Sequence, residues 1–286
     1  MRNASCGQAL HVLSLEGKAA GAPLIIAHRG YSKLAPENTL PAFELAGDAK
    51  AEMIELDARC SRDGKLLVVH DAELDRTTDA VRRWHHTHNR VDHHDAEESR
   101  TLDAGSWFGH RFAGTRIPLV AEAIRAILAR GAVPLVERKS GTAAEYLELF
   151  RTMDVVDRVI LQSFDWKFLQ EVHEAEPGLS LGALGPAARL ANGRRPLGFI
   201  RRLNARWLEG ARKTGAKVVV WDRRVSRKAI GLAHDKGLKV WVYTVDRPGL
   251  ARRLLDAGVD GIITNDPGQI GGVVRSREGL RPLQPG

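Results

Sequence analysis

The chain has 286 residues, 43% hydrophobic and 27% charged, with a formal net charge of +8. That is ordinary for a globular protein and is enough for one large domain or two small ones. Two cysteines, Cys6 and Cys60, exclude a disulfide framework, and no uninterrupted apolar run approaches the roughly 20 residues of a membrane span.

The basic balance points to anionic partners in general. Lys and Arg are spread along the chain, however, and the pairs Arg82-Arg83, Arg194-Arg195 and Arg201-Arg202 are too short to be basic tracts. No nucleic-acid partner is therefore expected. Residues 1–23 read as an N-terminal extension without the apolar core of a signal peptide. With the cysteine usage, this leads to the expectation of a cytoplasmic protein without stable membrane insertion.

Apolar, β-branched runs recur from Leu24–Ala27 onward, at Met53–Leu56, Val133–Val136, Val159–Leu161, Leu179–Leu184, Val218–Trp221, Val240–Tyr243 and Gly261–Thr264. Amphipathic stretches separate them: Thr39–Ala46, Val120–Arg130, Ala143–Phe150, Trp166–Ala175, Phe199–Lys213, Lys228–Asp235 and Leu250–Asp256. "ARGA", "KTGAK", "DKGLK" and "DAGVD" place a glycine just past a helix, where the left-handed conformation is needed. Short buried strands alternating with helices predict a parallel sheet, and eight of them suit an α/β fold of the (β/α)8 TIM-barrel class. The barrel is expected over 24–276, followed by a tail, 277–286.

One run breaks the series. "KLLVVHD" (Lys65–Asp71) follows "EMIELDARC" after only "SRDG", too short for a parallel crossover. A hairpin is expected, with Asp63-Gly64 in or beside its turn. A loop of Arg62-Asp63 sets His70 opposite Glu55, and a loop of Asp63-Gly64 sets it opposite Asp57. Residues of about 72–117 then form an inserted loop or small subdomain beside the barrel.

Chemistry in such a barrel sits at the C-terminal strand ends. The first strand ends in His28-Arg29, the second carries Glu55 and Asp57, the hairpin return carries His70, and the third ends in Glu137 with Lys139 two residues on. Glu55 and Asp57 point to the same face of an extended strand. Three carboxylates repel unless a cation or proton lies among them, and an oxygen-rich site suits Mg²⁺ or Ca²⁺. His28 and His70 can exchange a proton, and Arg29 and Lys139 supply positive charge for a phosphate. The set suits hydrolysis of a phosphate ester.

"HRG…PENTLPAF", "IELDARCSRDGKLLVVHD", "LDRTTD", "LDAGSWF", "LVERK", "LQSF" and "GVDGIITNDP" run in order from Leu24 to about Pro267. Together they resemble the glycerophosphodiester phosphodiesterase family. The resemblance implies a (β/α)8 barrel that hydrolyses small-molecule glycerophosphodiesters to sn-glycerol 3-phosphate and an alcohol. It implies Mg²⁺ or Ca²⁺ on Glu55, Asp57 and Glu137, acid–base work by His28 and His70, and phosphate contacts from Arg29 and Lys139. The segment between His70 and Pro118 corresponds to the family's characteristic insertion. Three departures stand out: Tyr243 occupies the place of a frequent Trp and is a substrate-binding candidate, Arg138 stands between Glu137 and Lys139, and the insertion carries "HHTHNRVDHH". That His-rich segment is read as a solvated loop.

Two other readings compete. A lysophospholipase D or sphingomyelinase D-like enzyme would use Trp84, Trp107 or Phe108 against an acyl chain. A catalytically silent barrel would use its positive charge to hold an anion or nucleic acid. Nothing in the sequence sets the oligomeric state.

Overall fold

The structure is a computed structural model and describes residues 22–196 and 202–277. Nine strands, numbered in chain order, are hydrogen-bonded in the order β1 (Leu24–Ala27), β9 (Gly261–Thr264), β8 (Lys239–Tyr243), β7 (Val218–Asp222), β6 (Ser180–Gly185), β5 (Ile160–Ser163), β4 (Val133–Arg138), β2 (Met53–Cys60) and β3 (Leu66–Val68), and β1 also pairs with β2. Eight parallel strands alternating with helices make this a (β/α)8 TIM barrel, and β3 is the antiparallel return of the expected hairpin. No helix among the described residues is long and apolar enough to cross a membrane.

Two compact units divide the chain. In the unit of residues 26–149 and 265–268, β1 (Leu24–Ala27) leads through α1 (Leu40–Asp48) to β2 (Met53–Cys60), β3 (Leu66–Val68) and, after the insertion, α4 (Val120–Ala129), β4 (Val133–Arg138) and the start of α5 (Ala143–Thr152). Strand β1 is buried at every position and β2 at its first six, as expected of strands covered on both faces. On α4, Val120, Ala123, Ile124 and Ile127 are buried, one apolar stripe at helical spacing.

The hairpin corrects both expected registers. Ala58 pairs with Val68 and Cys60 with Leu66, and Val69 N–H donates to Asp57 O. His70 therefore comes level with Leu56, between the two expected partners. The turn has three residues, Arg62-Asp63-Gly64, closed by Gly64 N–H to Ser61 O, with Gly64 at φ 76°. Ser61 Oγ donates to Asp63 Oδ1 (2.6 Å), and that oxygen also accepts from Ala96 N–H (2.9 Å). A single carboxylate thus joins the turn to the insertion.

Residues 72–117 carry two short helices, α2 (Ala80–Trp84) and α3 (Ala96–Ser99), and have a core of their own. Leu74, Ala80, Val91, Ala96, Leu102, Ala104 and Ile117 pack with Leu67 and Val69 of the hairpin, and Trp84 leans on this cluster.

The unit of residues 150–264 with the adjoining chain ends holds β5 (Ile160–Ser163), α6 (Trp166–Ala175), β6 (Ser180–Gly185), α7 (Ala205–Arg212), β7 (Val218–Asp222), α8 (Arg227–Asp235), β8 (Lys239–Tyr243), α9 (Pro248–Ala257), β9 (Gly261–Thr264) and α10 (Pro267–Arg277). Trp166, Trp207 and Trp221 form a ladder with ring centres 5.6 Å apart at each step, the first step edge-on and the second tilted at 57°. The four expected post-helix glycines, Gly131, Gly215, Gly237 and Gly258, all have positive φ.

The expected helix Phe199–Lys213 is shorter at its start. Residues 199–201 lie outside the described residues, and Asn204 is extended, its side chain accepting from Arg206 and Trp207 N–H. That cap satisfies two orphan donors of the first turn. Asn204→Ala is expected to destabilise the protein by about 1 kcal/mol, read as a lower urea midpoint with an unchanged slope.

Candidate active site

His28 and Arg29 leave β1 in a tight turn, Arg29 at φ 57° and Gly30 at φ 80°. A Cβ on Gly30 would lie 2.6 Å from the Ala42 carbonyl carbon. The loop packs directly on α1, and only glycine fits. The turn aims Arg29 N–H at Glu55 Oε2 (2.8 Å). The Arg29 guanidinium reaches Glu37 Oε1 (2.8 Å) and Asp57 Oδ2 (3.1 Å).

Strand register brings the acids together. Ile54 pairs with Ala27, and Asp57 pairs with Glu137 on β4. Glu55, Asp57 and Glu137 are 1%, 1% and 6% exposed, and one oxygen of each lies within 4.8 Å of the others. Lys139 Nζ is 3.1 Å from Asp57 Oδ1 and also pairs with Glu137. Arg138, between them, turns back to donate to Gly141 O.

Three buried carboxylates face two cations. Burial, with the Asp57 charge added, pushes both Glu55 and Glu137 up to about 8. Burial also pushes Asp57 upward, but Lys139 and Arg29 overcome it and hold that carboxyl below its usual range. Glu55 Oε1 is buried with no hydrogen-bond partner. An all-carboxylate, buried donor set with an orphaned oxygen fits a hard divalent cation such as Mg²⁺ or Ca²⁺.

Each histidine is oriented by a neighbour. His28 Nδ1 lies 2.7 Å from Asn265 Oδ1. A carboxamide oxygen only accepts, so Nδ1 carries the proton and Nε2 is the ring's acceptor nitrogen. His70 Nδ1 lies 2.6 Å from Asp71 Oδ1. Asp71 is held in turn by Arg76 (2.5 Å), and Arg76 reaches Glu37 Oε1 (2.6 Å). A charged chain thus runs from His70 through Asp71, Arg76, Glu37 and Arg29 to Asp57. Burial keeps both histidines below the ordinary imidazole range; beside it, Arg29 pushes His28 the same way, while the Asp57 charge pushes His70 upward.

Seven of the eight expected site residues lie in this one unit. Tyr243 lies in the other, half-buried at the end of β8, with its hydroxyl donating to Gly185 O (2.8 Å) and its ring edge-on to Phe164. Sequence reasoning missed Glu37 and Asn38. Asn38, at φ 60°, donates to Asp57 Oδ2 (2.8 Å) and accepts from Asp57 N–H (3.1 Å). In the sequence, "PENT" ahead of an amphipathic stretch reads as a helix-start turn, with Asn38 or Thr39 available as cap. Thr39 does occupy the N-cap position, but no side-chain cap bond forms; its hydroxyl donates to Pro36 O. The available signal was two polar residues close behind a strand-end His-Arg.

Two histidines of 85–94 go to separate carboxylates. His88 lies 3.1 Å from Glu73, and His94 lies 3.1 Å from Glu98 while stacking on Trp84. Among the described residues, the group with metal-ligating geometry is Glu55, Asp57 and Glu137.

The profile of the glycerophosphoryl diester phosphodiesterase family matches residues 28–269. A glycerophosphodiester phosphodiesterase of Caldanaerobacter subterraneus subsp. tengcongensis is 33% identical over 258 residues, 88% of this chain and 98% of the relative. A solved Oleispira antarctica phosphodiesterase, in complex with the product sn-glycerol-3-phosphate, superposes with a TM-score of 0.75 at 25% identity, covering 88% of this chain and 97% of that one. A glycerophosphodiester phosphodiesterase structure from Agrobacterium tumefaciens gives a TM-score of 0.69 at 28% identity, covering 86% and 97%.

The raised carboxyls have a consequence for stability in EDTA. A folded-state pKa of about 8 against an ordinary 4.5 gives stability that is full below pH 4.5 and lost as pH rises through 8. The lowered histidines act oppositely, but only below their ordinary 6.5. Melting temperature in EDTA is therefore expected to fall between pH 6.5 and about 8.5, and Glu55→Gln to flatten that fall. A flat or rising curve in the parent protein contradicts the electrostatic account.

Proposed function

We propose the reaction of a chain that belongs to the glycerophosphoryl diester phosphodiesterase family: hydrolysis of glycerophosphodiesters to sn-glycerol 3-phosphate and the free alcohol. The observation that carries it is the buried group of three carboxylates flanked by His28, His70, Arg29 and Lys139. The product named in the Oleispira antarctica complex supports the same substrate class.

Glu55, Asp57 and Glu137 would hold one divalent cation, Mg²⁺ or Ca²⁺, which would supply positive charge to a nonbridging phosphate oxygen. Arg29 and Lys139 then face the remaining phosphate charge, Arg29 through its planar fork and Lys139 as a point charge. Both are already anchored on carboxylates, so their position is set before substrate arrives. One histidine takes the proton of the attacking oxygen, and the other gives a proton to the departing alcohol oxygen as the P–O bond breaks. Asn265 holds His28 in the tautomer with a free Nε2, and Asp71 favours a proton on His70. The attacking oxygen belongs to water or to the glycerol 2-hydroxyl; transient cyclic glycerophosphate in a quenched time course marks the second route. Tyr243 is assigned a flat face for the substrate.

Exposed Trp107, 40% accessible, gives the lysophospholipid reading one observation in its favour. Trp84 is taken up by packing on the insertion core. Turnover of glycerophosphocholine well above that of its lysolipid counterpart decides for the smaller substrate.

His28→Ala and His70→Ala are each expected to lower kcat/KM on glycerophosphocholine by about a hundredfold to ten-thousandfold, with released glycerol 3-phosphate as the readout. Near-normal turnover in either variant removes that histidine from the mechanism. Activity is expected to vanish in EDTA and to return with Mg²⁺ or Ca²⁺, and Glu55→Ala should abolish the return. Activity that survives chelation rules out the metal assignment.

A further inference from the structure

The unit of residues 150–264 contains a groove of about 690 Å³ lined by Arg223, Arg224, Arg247, Gly249, Leu250 and Arg253. It is built from two βα loops. Arg223 and Arg224 follow β7, Arg247 precedes α9, and Arg253 lies in the second turn of that helix. All four arginines are exposed.

Four guanidiniums around one concavity repel one another, and arginines that stabilise a fold are normally paired. Only part of that expectation is met. Arg224 is fixed on Asp222, its Nε lying 3.1 and 2.9 Å from the two carboxylate oxygens. The nearby Asp246 accepts from Thr264 Oγ1 (3.0 Å). Among the described residues, no hydrogen bond or ion pair is found for the side chains of Arg223, Arg247 or Arg253. Their forks are therefore free for oxygens from outside, and guanidinium geometry matches phosphate oxygens two at a time. At Gly249 the groove wall is bare backbone. The first turn of α9 adds the positive end of a ten-residue helix. Three forks that each match two oxygens offer more donors than a lone phosphate can fill.

We propose that this groove binds an anion with two or more phosphate groups, held by Arg223, Arg247 and Arg253. None of its lining residues is among Glu55, Asp57 and Glu137, and the proposal stands whether or not the hydrolytic reading holds. The anion is a free polyphosphate or a phosphorylated lipid headgroup, sources that share the same chemistry.

The test uses the full chain in EDTA, with tripolyphosphate titrated by calorimetry at fixed salt. Saturable one-to-one binding is expected. Replacing Arg223, Arg247 and Arg253 together by Gln should weaken it by about tenfold or more, since a hydrogen bond to a charged group is a substantial contribution. A control carrying Arg82→Gln, Arg83→Gln and Arg116→Gln removes the same charge elsewhere and should bind like the parent, as should His28→Ala. Circular dichroism confirms that each variant is folded. Co-sedimentation with phosphatidylcholine vesicles containing phosphatidylinositol bisphosphate separates the sources: capture that depends on the same three arginines assigns a headgroup, and tripolyphosphate binding without capture assigns a free anion. Absence of binding in the parent, or equal weakening in the two triple variants, overturns the site.

Discussion

Three carboxylates share a dry space with two cations, and much of the neighbouring structure follows from that imbalance. Each acid desolvated alone would simply hold its proton. Lys139 and Arg29 are close enough to keep Asp57 ionised while Glu55 and Glu137 are driven upward. The arrangement is tolerated because strand pairing leaves no alternative. Asp57 and Glu137 are level across two adjacent strands, and a one-residue slip of β2 would replace Asp57 at that level by Leu56 or Ala58. Fold stability thus holds together a set of charges that would separate in a less rigid frame.

The surrounding loops are committed to the same task. Asn38 grips Asp57 by side chain and backbone, and Asn265 fixes the His28 ring. Glu37 links Arg29 to Arg76 and thereby to the loop of His70. These partners do not ligate or transfer protons in the proposed scheme; they fix the groups that do. Their hydrogen bonds are made within the protein, so the geometry exists before a ligand arrives.

The fold was legible because buried strands and amphipathic helices have different periods, and because the short "SRDG" link permits only a hairpin. Helix α10 was not foreseen: "PGQIGGVVRSR" carries Gly271 and Gly272 and has no clear apolar stripe. The site was legible where chemistry-bearing residues fell at strand ends, as with His28, Glu55, Asp57 and Glu137. Asn38 and Glu37 were hidden because a Pro-Glu-Asn-Thr turn has a sufficient local explanation as a helix start. Their partners, Arg29, Arg76 and Asp57, are distant in sequence or on another strand. The hairpin register was missed by one residue because the sequence does not distinguish a two-residue loop from a three-residue one, and here the Ser61–Asp63–Ala96 linkage decides.

Strand β2 has two halves with different neighbours. Met53 to Ala58 pairs with β4, while Ala58 to Cys60 pairs with the hairpin return that roots the insertion. Asp57 lies one residue from the crossover. Such a strand works as a fixed coupling between the barrel and the insertion. The residue that offers its carboxylate to the acid group also offers its carbonyl oxygen to Val69 N–H, at the root of the return. A displacement of the insertion's root is therefore felt at Asp57 through the backbone, without any side chain of the insertion touching the acids.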